Sequence, residues 1–412
     1  VFGEIEKQLK NIMKIETNNS AIILGLSETG LAIGRSLGKQ GITVYGITDA
    51  KYIGYYSKYI KGKIFPHPEK NISDFKKCLV DFCVKLPSKP VLFITSDAYL
   101  MFYAHNSSFI NKYFLSNLPD KELTIEIQDK YRQYRLALNI GIEVPKTIFI
   151  DNQKPIMGQI GNLKFPVFIK ARNVNIWRTK ISSQKKGYVV KNNTALVDKL
   201  QYFYQEEVPV IVQEIVKSPD NQNYKVCVYI SSSGALKLAF TLRKIHQKPI
   251  HFGIASSAVS YKNDELMEIG KKLFTSINYT GVGSAEFKYD ERDGKLKLIE
   301  INSRYWQQNA LADFCGMNFP LIDYLEATGQ NPKSVKDFEI GKKYVNLYSS
   351  FLSYQEYRKN DEITFRKWLI DIKGKRIISF FYKDDLLVLA IHILQIVLGK
   401  AISIINKFRK LL

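Results

Sequence analysis

The stretch Gly283-Ser-Ala-Glu-Phe-Lys-Tyr-Asp-Glu-Arg-Asp-Gly-Lys-Leu-Lys-Leu-Ile-Glu-Ile-Asn302 concentrates the chemistry of this chain. Two runs of alternating polarity flank Asp293-Gly294, a dipeptide that readily takes left-handed backbone and so marks a hairpin turn. A turn centred near Asp293 sets Glu286 across from Glu300 and Ser284 across from Asn302, all on one face. Phe287 and Ile299 then share the opposite face and supply packing. Like charges directly opposite one another cost roughly 0.2–1 kcal/mol, so an offsetting cation is expected. Two carboxylates and an amide oxygen are hard donors that suit Mg²⁺, with Mn²⁺ as the alternative ion and substrate phosphates completing the shell. The simpler alternative is a solvated hairpin whose glutamates are neutralised by Lys288 or Lys297.

Other segments add cations and backbone around this hairpin. Lys170 ends the apolar strand Phe165-Pro-Val-Phe-Ile-Lys, so its ammonium is delivered from a rigid element, although an ordinary edge-strand lysine has the same signature. Val210-Ile-Val-Gln-Glu-Ile-Val216 is a second apolar strand, leading into Ser218-Pro-Asp220. Its backbone can receive an adenine edge, with Glu214 or Asp220 near the exocyclic amine or the ribose. Arg243-Lys244 follows an apolar strand and Arg304 follows Asn302 by two residues. Facing one cleft, these cations would neutralise a phosphoryl group in transit.

Upstream, Ala21-Ile-Ile-Leu24 reads as a strand, followed by Gly25 and Gly30 in a turn, a helix through Leu31–Leu37 and a second strand over Thr43–Ile47. This is the opening of a parallel α/β sheet. A further strand, Val91-Leu-Phe-Ile94, ends in Thr95-Ser-Asp97. Residues 121–140 form a helix pair with Asp129 as an N-cap and Gly141 as the stop. Beyond Pro145 come short β-rich runs, Thr147–Ile150, Val167–Lys170, Gly187–Val190 and Val210–Val216, with helical periodicity in Ala195–Gln205 and Asp264–Ser276.

The chain has 412 residues, which exceeds what one core accommodates and fits two or three subdomains. Its four cysteines, Cys78, Cys83, Cys227 and Cys315, exclude a disulfide scaffold, lack zinc-ligand spacing and suit a reducing, cytoplasmic compartment. The 60 basic and 39 acidic residues leave a net charge of +21, which invites a nucleic acid, a membrane surface or an anionic substrate. No nucleic-acid-binding pattern appears, and the aromatics are dispersed among strands, so nucleic acid is not expected. From Asn331 onward there are 16 basic and 8 acidic residues. The apolar run Leu386–Leu398 in this tail, broken by His392 and Gln395 and followed by Lys400, Lys407, Arg409 and Lys410, is too short to span a bilayer. Segment 384–412 suits a helix in the plane of an anionic membrane at the inner face of the cell, or one docked on the protein's own core or a partner. Residues 1–10 lack the apolar core of a signal peptide, and Met13 is a candidate native start.

The ordered set Lys130, Phe165–Lys170, Val212-Gln-Glu-Ile215, Arg243-Lys244, Ala285-Glu-Phe-Lys288 and Ile299-Glu-Ile-Asn-Ser-Arg304 resembles the ATP-grasp superfamily, and within it the carboxylate–amine ligase group. The likeness runs from Gly25 to about Gly329, with Tyr305-Trp306 and Asn318-Phe-Pro320 in keeping. It implies an α/β and α+β fold: a Rossmann-like domain over 1–120, a small ATP-grasp subdomain over 121–205, a catalytic subdomain over 206–330 and a basic extension with an amphipathic helix over 331–412. It further implies Lys130 and Lys170 on phosphates, Gln213, Glu214, Ile215 and Val216 as the adenine hinge with Asp220 beside it, and Glu286, Glu300 and Asn302 on Mg²⁺. Arg243 and Arg304 would hold the phosphate and an acyl-phosphate intermediate. The chain departs from the family in Ala171–Lys180, which has no glycine where a phosphate loop is usual, so Arg172, Arg178 or Lys180 would substitute through side chains. Ser303 also replaces the proline that usually follows the metal asparagine.

The function implied is ATP-dependent, ADP-forming ligation of a small-molecule or peptide carboxylate to an amine. Two other classes compete with it. One is a membrane-associated nucleotide-binding scaffold without catalysis. The other is a dinucleotide-dependent oxidoreductase, favoured by the glycine turn and Asp49 but lacking G-x-G-x-x-G spacing.

Overall fold

The computed structural model describes residues 18–150, 154, 156–182 and 185–409; Val1–Lys10, Met13 and Lys410, named above, lie outside them. The first sheet is parallel, built from β1 (Ala21–Leu24), β2 (Val44–Thr48), β3 (Lys61–Ile64) and β4 (Val91–Ile94) in the order β3-β2-β1-β4. β1, β2 and β4 are short, almost wholly buried apolar runs, as expected of a sheet covered on both faces. Two glycines allow the turn after β1. Gly25 has φ +93°, and a Cβ there would lie 2.4 Å from Thr95 Oγ1; a Cβ on Gly30 would lie 2.1 Å from the Gly25 carbonyl. Left-handed backbone and the approach of Thr95 account for Gly25, and close packing of the helix Glu28–Lys39 on that turn accounts for Gly30.

The second sheet joins β5 (Thr147–Phe149), β6 (Val167–Ala171), β7 (Gly187–Val190) and β8 (Val210–Glu214) in the order β5-β8-β6-β7, all antiparallel. The small-subdomain boundary expected at 205 is thus corrected. β8 pairs with both β5 and β6, so the crossing to the large sheet comes after Glu214. The helices Lys121–Gln128 and Lys130–Asn139, in turn, bury Ile127 and Ala137 in one cluster with Val226, Phe287 and Leu298 of the large sheet.

The large sheet has seven strands in the order β13-β12-β9-β10-β11-β14-β15. They are β9 (Asn223–Ile230), β10 (Leu236–Lys248), β11 (Ile254–Ser260), β12 (Gly281–Asp290), β13 (Lys295–Asn302), β14 (Lys343–Val345) and β15 (Arg376–Ile378). The last two come from the region expected to be an extension outside the catalytic fold. It instead completes the sheet, because Lys343–Val345 pairs with Val259–Ser257 of β11. One face of this sheet shares a continuous apolar core with the first: Ile23, Val44 and Phe93 cluster with Cys227, Phe240 and Leu242 through Tyr305, Trp306 and Phe319. That shared core fixes the carboxyl ends of β1 and β4 over the loop following β13.

The carboxy-terminal helix Leu386–Arg409 begins on the protein's own core, where Val388 is buried with Leu31, Ile53 and Phe380. Leu386, Leu387, Ile393, Leu394, Val397 and Leu398 stay exposed. No helix among the described residues is long and apolar enough to cross a membrane.

A buried ion pair anchors this end of the chain. Arg35 Nε donates to Asp385 Oδ2 at 2.8 Å, and the Ser57 hydroxyl and Lys58 N–H donate to the same carboxylate at 2.7 and 3.0 Å. Removing one member leaves the other charge buried, which costs about 3–5 kcal/mol. Asp385→Ala is expected to lose that much stability in urea denaturation, and a loss under about 1 kcal/mol would contradict the anchoring role.

Candidate active site

The hairpin of β12 and β13 has the register read from its turn, with Glu286 opposite Glu300 and Ser284 opposite Asn302. A bulge then intervenes, so Phe287 pairs with Leu298 instead of sharing a rung with Ile299. The bulge lets Leu296, Leu298 and Ile301 all face the core while Glu300 and Asn302 stay on the cleft side. On its other edge β12 meets β9, and there Lys225 lies directly across from Glu286. Lys225, Glu286 and Glu300 therefore form one rung across three strands.

Three ammonium groups clasp the two carboxylates. Glu286 lies 3.0 Å from Lys225 Nζ and accepts a hydrogen bond from Lys244 Nζ at 2.8 Å. Glu300 accepts from Lys130 Nζ at 2.6 Å. Burial alone would raise both carboxyls, but the lysines override it, holding Glu286 well below the usual range and Glu300 at about 2. Neither Lys288 nor Lys297 supplies this neutralisation; Lys297 pairs with Asp290 and Asp293. Lys186, just before β7, also acts on both glutamates, and desolvation pulls its ammonium below the ordinary range although the residue remains exposed.

The small sheet adds Lys170. Its Nζ donates to Tyr134 OH at 2.7 Å and to Gln213 Oε1 at 2.9 Å, and burial pulls it down to about 8, with Glu300 opposing. Gln213 is fixed in turn by donating to Thr147 Oγ1. Glu214 accepts from the Lys164 N–H at 2.9 Å and from Arg292. Ile215 and Val216 carry the chain from β8 toward the large sheet, and the nearby Ser218 hydroxyl is buried without a partner among the described residues. Asp220 is committed elsewhere, accepting from Tyr357 OH at 2.5 Å and from the His251 N–H at 2.8 Å. Burial would raise its carboxyl, but these donors hold it at about 2.

The arginine assignments separate. Arg304 Nε donates to Asp97 Oδ1 at 2.6 Å, with Arg178 3.8 Å from the same carboxylate. Asp97 opens the helix after β4, so Arg304 is held across the crevice between the two sheets. Arg243, expected in the cleft, is not there. It pairs with Tyr224, one residue out of step with Lys225, and therefore points to the opposite face, where it donates to the Asn221 carbonyl at 3.2 Å. Its neighbour Lys244 occupies the cleft side.

The glycine-free segment forms a helix, Val174–Lys180. Of its three expected substitutes, Arg172 pairs with Asp129 and Lys180 donates to the Glu206 carbonyl, which leaves Arg178 beside Asp97. Sequence reading missed Lys186, Lys225 and Asp97. Lys225 had a signal, a lone lysine between the apolar residues of a buried strand.

The residues fit both a nucleotide and a hard cation. Two ionised carboxylates and the buried Asn302 amide share one face, and the Ser284 and Ser303 hydroxyls beside them are buried without partners among the described residues. The surplus of lysines around them matches a phosphate chain.

No protein-family model matches the chain. A D-aspartate ligase of Enterococcus faecium (strain Aus0004) is 21% identical over 352 residues, spanning 80% of this chain and 82% of that protein. Among solved structures, the ADP complex of N5-carboxyaminoimidazole synthetase from Staphylococcus aureus superposes with a TM-score of 0.61 at 17% identity, covering 85% of this chain and 88% of that one. An L-amino acid ligase from Bacillus licheniformis gives a TM-score of 0.58 at 13% identity, covering 76% and 74%. By fold, the chain is similar to these synthetases and ligases, in keeping with the ATP-grasp resemblance of its sequence.

Proposed function

We propose that the chain is an ATP-dependent, ADP-forming ligase that joins an amino-acid carboxylate to an amine, with D-aspartate as the first donor to test. The observation that carries this reading is the rung Lys225–Glu286–Glu300, walled by Lys130, Lys170, Lys186, Lys244 and Arg304. A donor carboxylate oxygen attacks the γ-phosphorus of ATP, releasing ADP and leaving an acyl phosphate. The amine nitrogen then attacks the acyl carbon, phosphate departs, and the nitrogen loses a proton. This chemistry depends on alignment and charge neutralisation more than on a protein nucleophile.

Each residue's role follows from its place. Lys170 and Lys130 neutralise the phosphates, the backbone of Gln213–Val216 receives the adenine with Glu214 at the strand end, and Arg304 steadies the acyl phosphate. Glu286, Glu300 and Asn302 would hold Mg²⁺, or Mn²⁺, which when bound screens the transferring phosphoryl group. The three ammonium groups now on these carboxylates would turn toward the phosphates as the cation takes their place.

The exposed stripe of the carboxy-terminal helix gives a second element of the reading. Ile393, Leu394, Val397 and Leu398 are each about half exposed and lie on the helix of a tail whose 16 basic and 8 acidic residues leave +8. We read this stripe as an in-plane contact with an anionic bilayer, in keeping with a cytoplasmic enzyme at the inner face of the membrane.

Three outcomes test these assignments. Glu300→Ala and Lys170→Ala should each lower ADP release with D-aspartate and hydroxylamine by about 100-fold or more, and undiminished turnover in both would sink the ligase assignment. Mg·ADP affinity should fall as pH rises through about 8, because the Lys170 ammonium is then lost. Lys170→Arg should abolish that fall, since a guanidinium stays charged; a flat wild-type profile to high pH would remove Lys170 from the phosphate site. Third, vesicles of equal parts phosphatidylglycerol and phosphatidylcholine should sediment the wild type but not Leu394→Glu/Val397→Glu. Equal sedimentation of both would exclude the helix as the membrane contact.

A further inference from the structure

Four carboxylates border the crevice between the carboxyl ends of β1 and β4 and the catalytic rung: Glu28, Asp97, Glu286 and Glu300. In an open parallel sheet ligands settle outside the carboxyl ends of the strands where the strand order reverses. Here that point is the gap between β1 and β4, since β2 and β3 lie on one side of β1 and β4 on the other. Asp97 is paired with Arg304, Glu286 with Lys225 and Lys244, and Glu300 with Lys130. Glu28 alone among the four has no cation partner among the described residues.

Its surroundings are neutral donors drawn from two other places in the chain, the loop after β13 and the end of β14. The Tyr344 hydroxyl donates to Oε1, while Gln307 Nε2 donates to Oε2 at 2.5 Å and Asn346 Nδ2 to the same oxygen at 3.2 Å. Burial pushes this carboxyl up, and the donors only partly offset it. An acid in the first turn of the helix Glu28–Lys39 is favoured by the helix dipole. The dipole does not account for a side chain held across the crevice by Gln307, Tyr344 and Asn346. Gln307 lies three residues beyond Arg304 on the same loop, so the Glu28 carboxylate and the proposed acyl-phosphate site are held by one segment.

We propose that Glu28 is a specificity-determining residue that binds the α-ammonium of an amino-acid donor whose reacting carboxylate lies at Arg304. The inference rests on the ligase reading above. It makes the site selective for amino acids over plain carboxylic acids, because a donor without an ammonium leaves the half-buried Glu28 carboxylate uncompensated.

The test uses the full chain with ATP, Mg²⁺ and hydroxylamine, reading hydroxamate from D-aspartate and from succinate, which is the same dicarboxylate without its ammonium. The wild type should favour D-aspartate in kcat/KM by about thirty-fold or more, and Glu28→Gln should bring the two donors level. Tyr344→Phe, which removes a neutral donor but keeps the charge, should retain the preference. A purely structural Glu28 would lower both donors equally in Glu28→Gln, and that unchanged ratio would overturn the inference while leaving the ligase reading intact. A wild type that does not discriminate would overturn it as well. If Glu28→Gln fails to fold, loss of the preference in Tyr344→Phe would count against the charge-based account and its retention for it. Absence of hydroxamate from D-aspartate, succinate and a panel of other amino acids would instead overturn the ligase reading, and this inference with it.

Discussion

Two carboxylates on one rung of an antiparallel hairpin repel each other, and the rest of the site is built around that repulsion. Glu286 and Glu300 face the same side of the sheet and share its low-dielectric edge. Their ionisation at neutral pH requires positive charge within a few ångströms, which Lys225, Lys244 and Lys130 supply from β9, β10 and a helix of the same core. Each lysine sits on a different element, so bringing the three together depends on the whole large sheet and its covering helices. A local hairpin could not do it.

The same constraint apportions the basic excess. Part of the +21 converges on the cleft, where its members outnumber the carboxylates they neutralise, which is the balance a bound polyphosphate requires. Another part lies in the tail after Asn331, which contributes the last two strands of the large sheet before it reaches the exposed apolar helix. The tail is therefore a component of the catalytic sheet as well as a candidate membrane contact. The buried Arg35–Asp385 pair and the shared core around Trp306 lock the parallel sheet against this assembly, bringing Asp97 and Glu28 up to the loop that carries Arg304 and Gln307.

Much of this was legible in the residues, for reasons that can be named. Asp293-Gly294 and the alternation on both sides set the register of Glu286 with Glu300, because a hairpin turn fixes which residues meet. Asp129 was recognisable as a cap, and its carboxylate does accept from the Tyr131 and Arg132 N–H groups. The bulge was harder to see. Leu298, Ile299 and Ile301 are all apolar, so the side facing the core is ambiguous until the packing of Phe287 selects Leu298. Arg243 and Lys244 are adjacent cations, and only pairing with β9 decides which of them faces the cleft. The partners of Glu28 lie about 280 to 320 residues away along the chain, a distance over which periodicity and turn chemistry carry no information.

The central claim is that Glu286, Glu300 and Asn302 form a cation site shared with a nucleotide. Anomalous diffraction from crystals grown with Mn²⁺ and ADP tests it most directly, since the metal can be located independently of the protein phases. The account predicts one strong Mn²⁺ peak against Glu300 and Asn302, with the ADP phosphates beside Lys130 and Lys170 and the lysines withdrawn from the carboxylates. Nucleotide bound elsewhere, or bound here with Lys130 still on Glu300 and no metal peak, would contradict it.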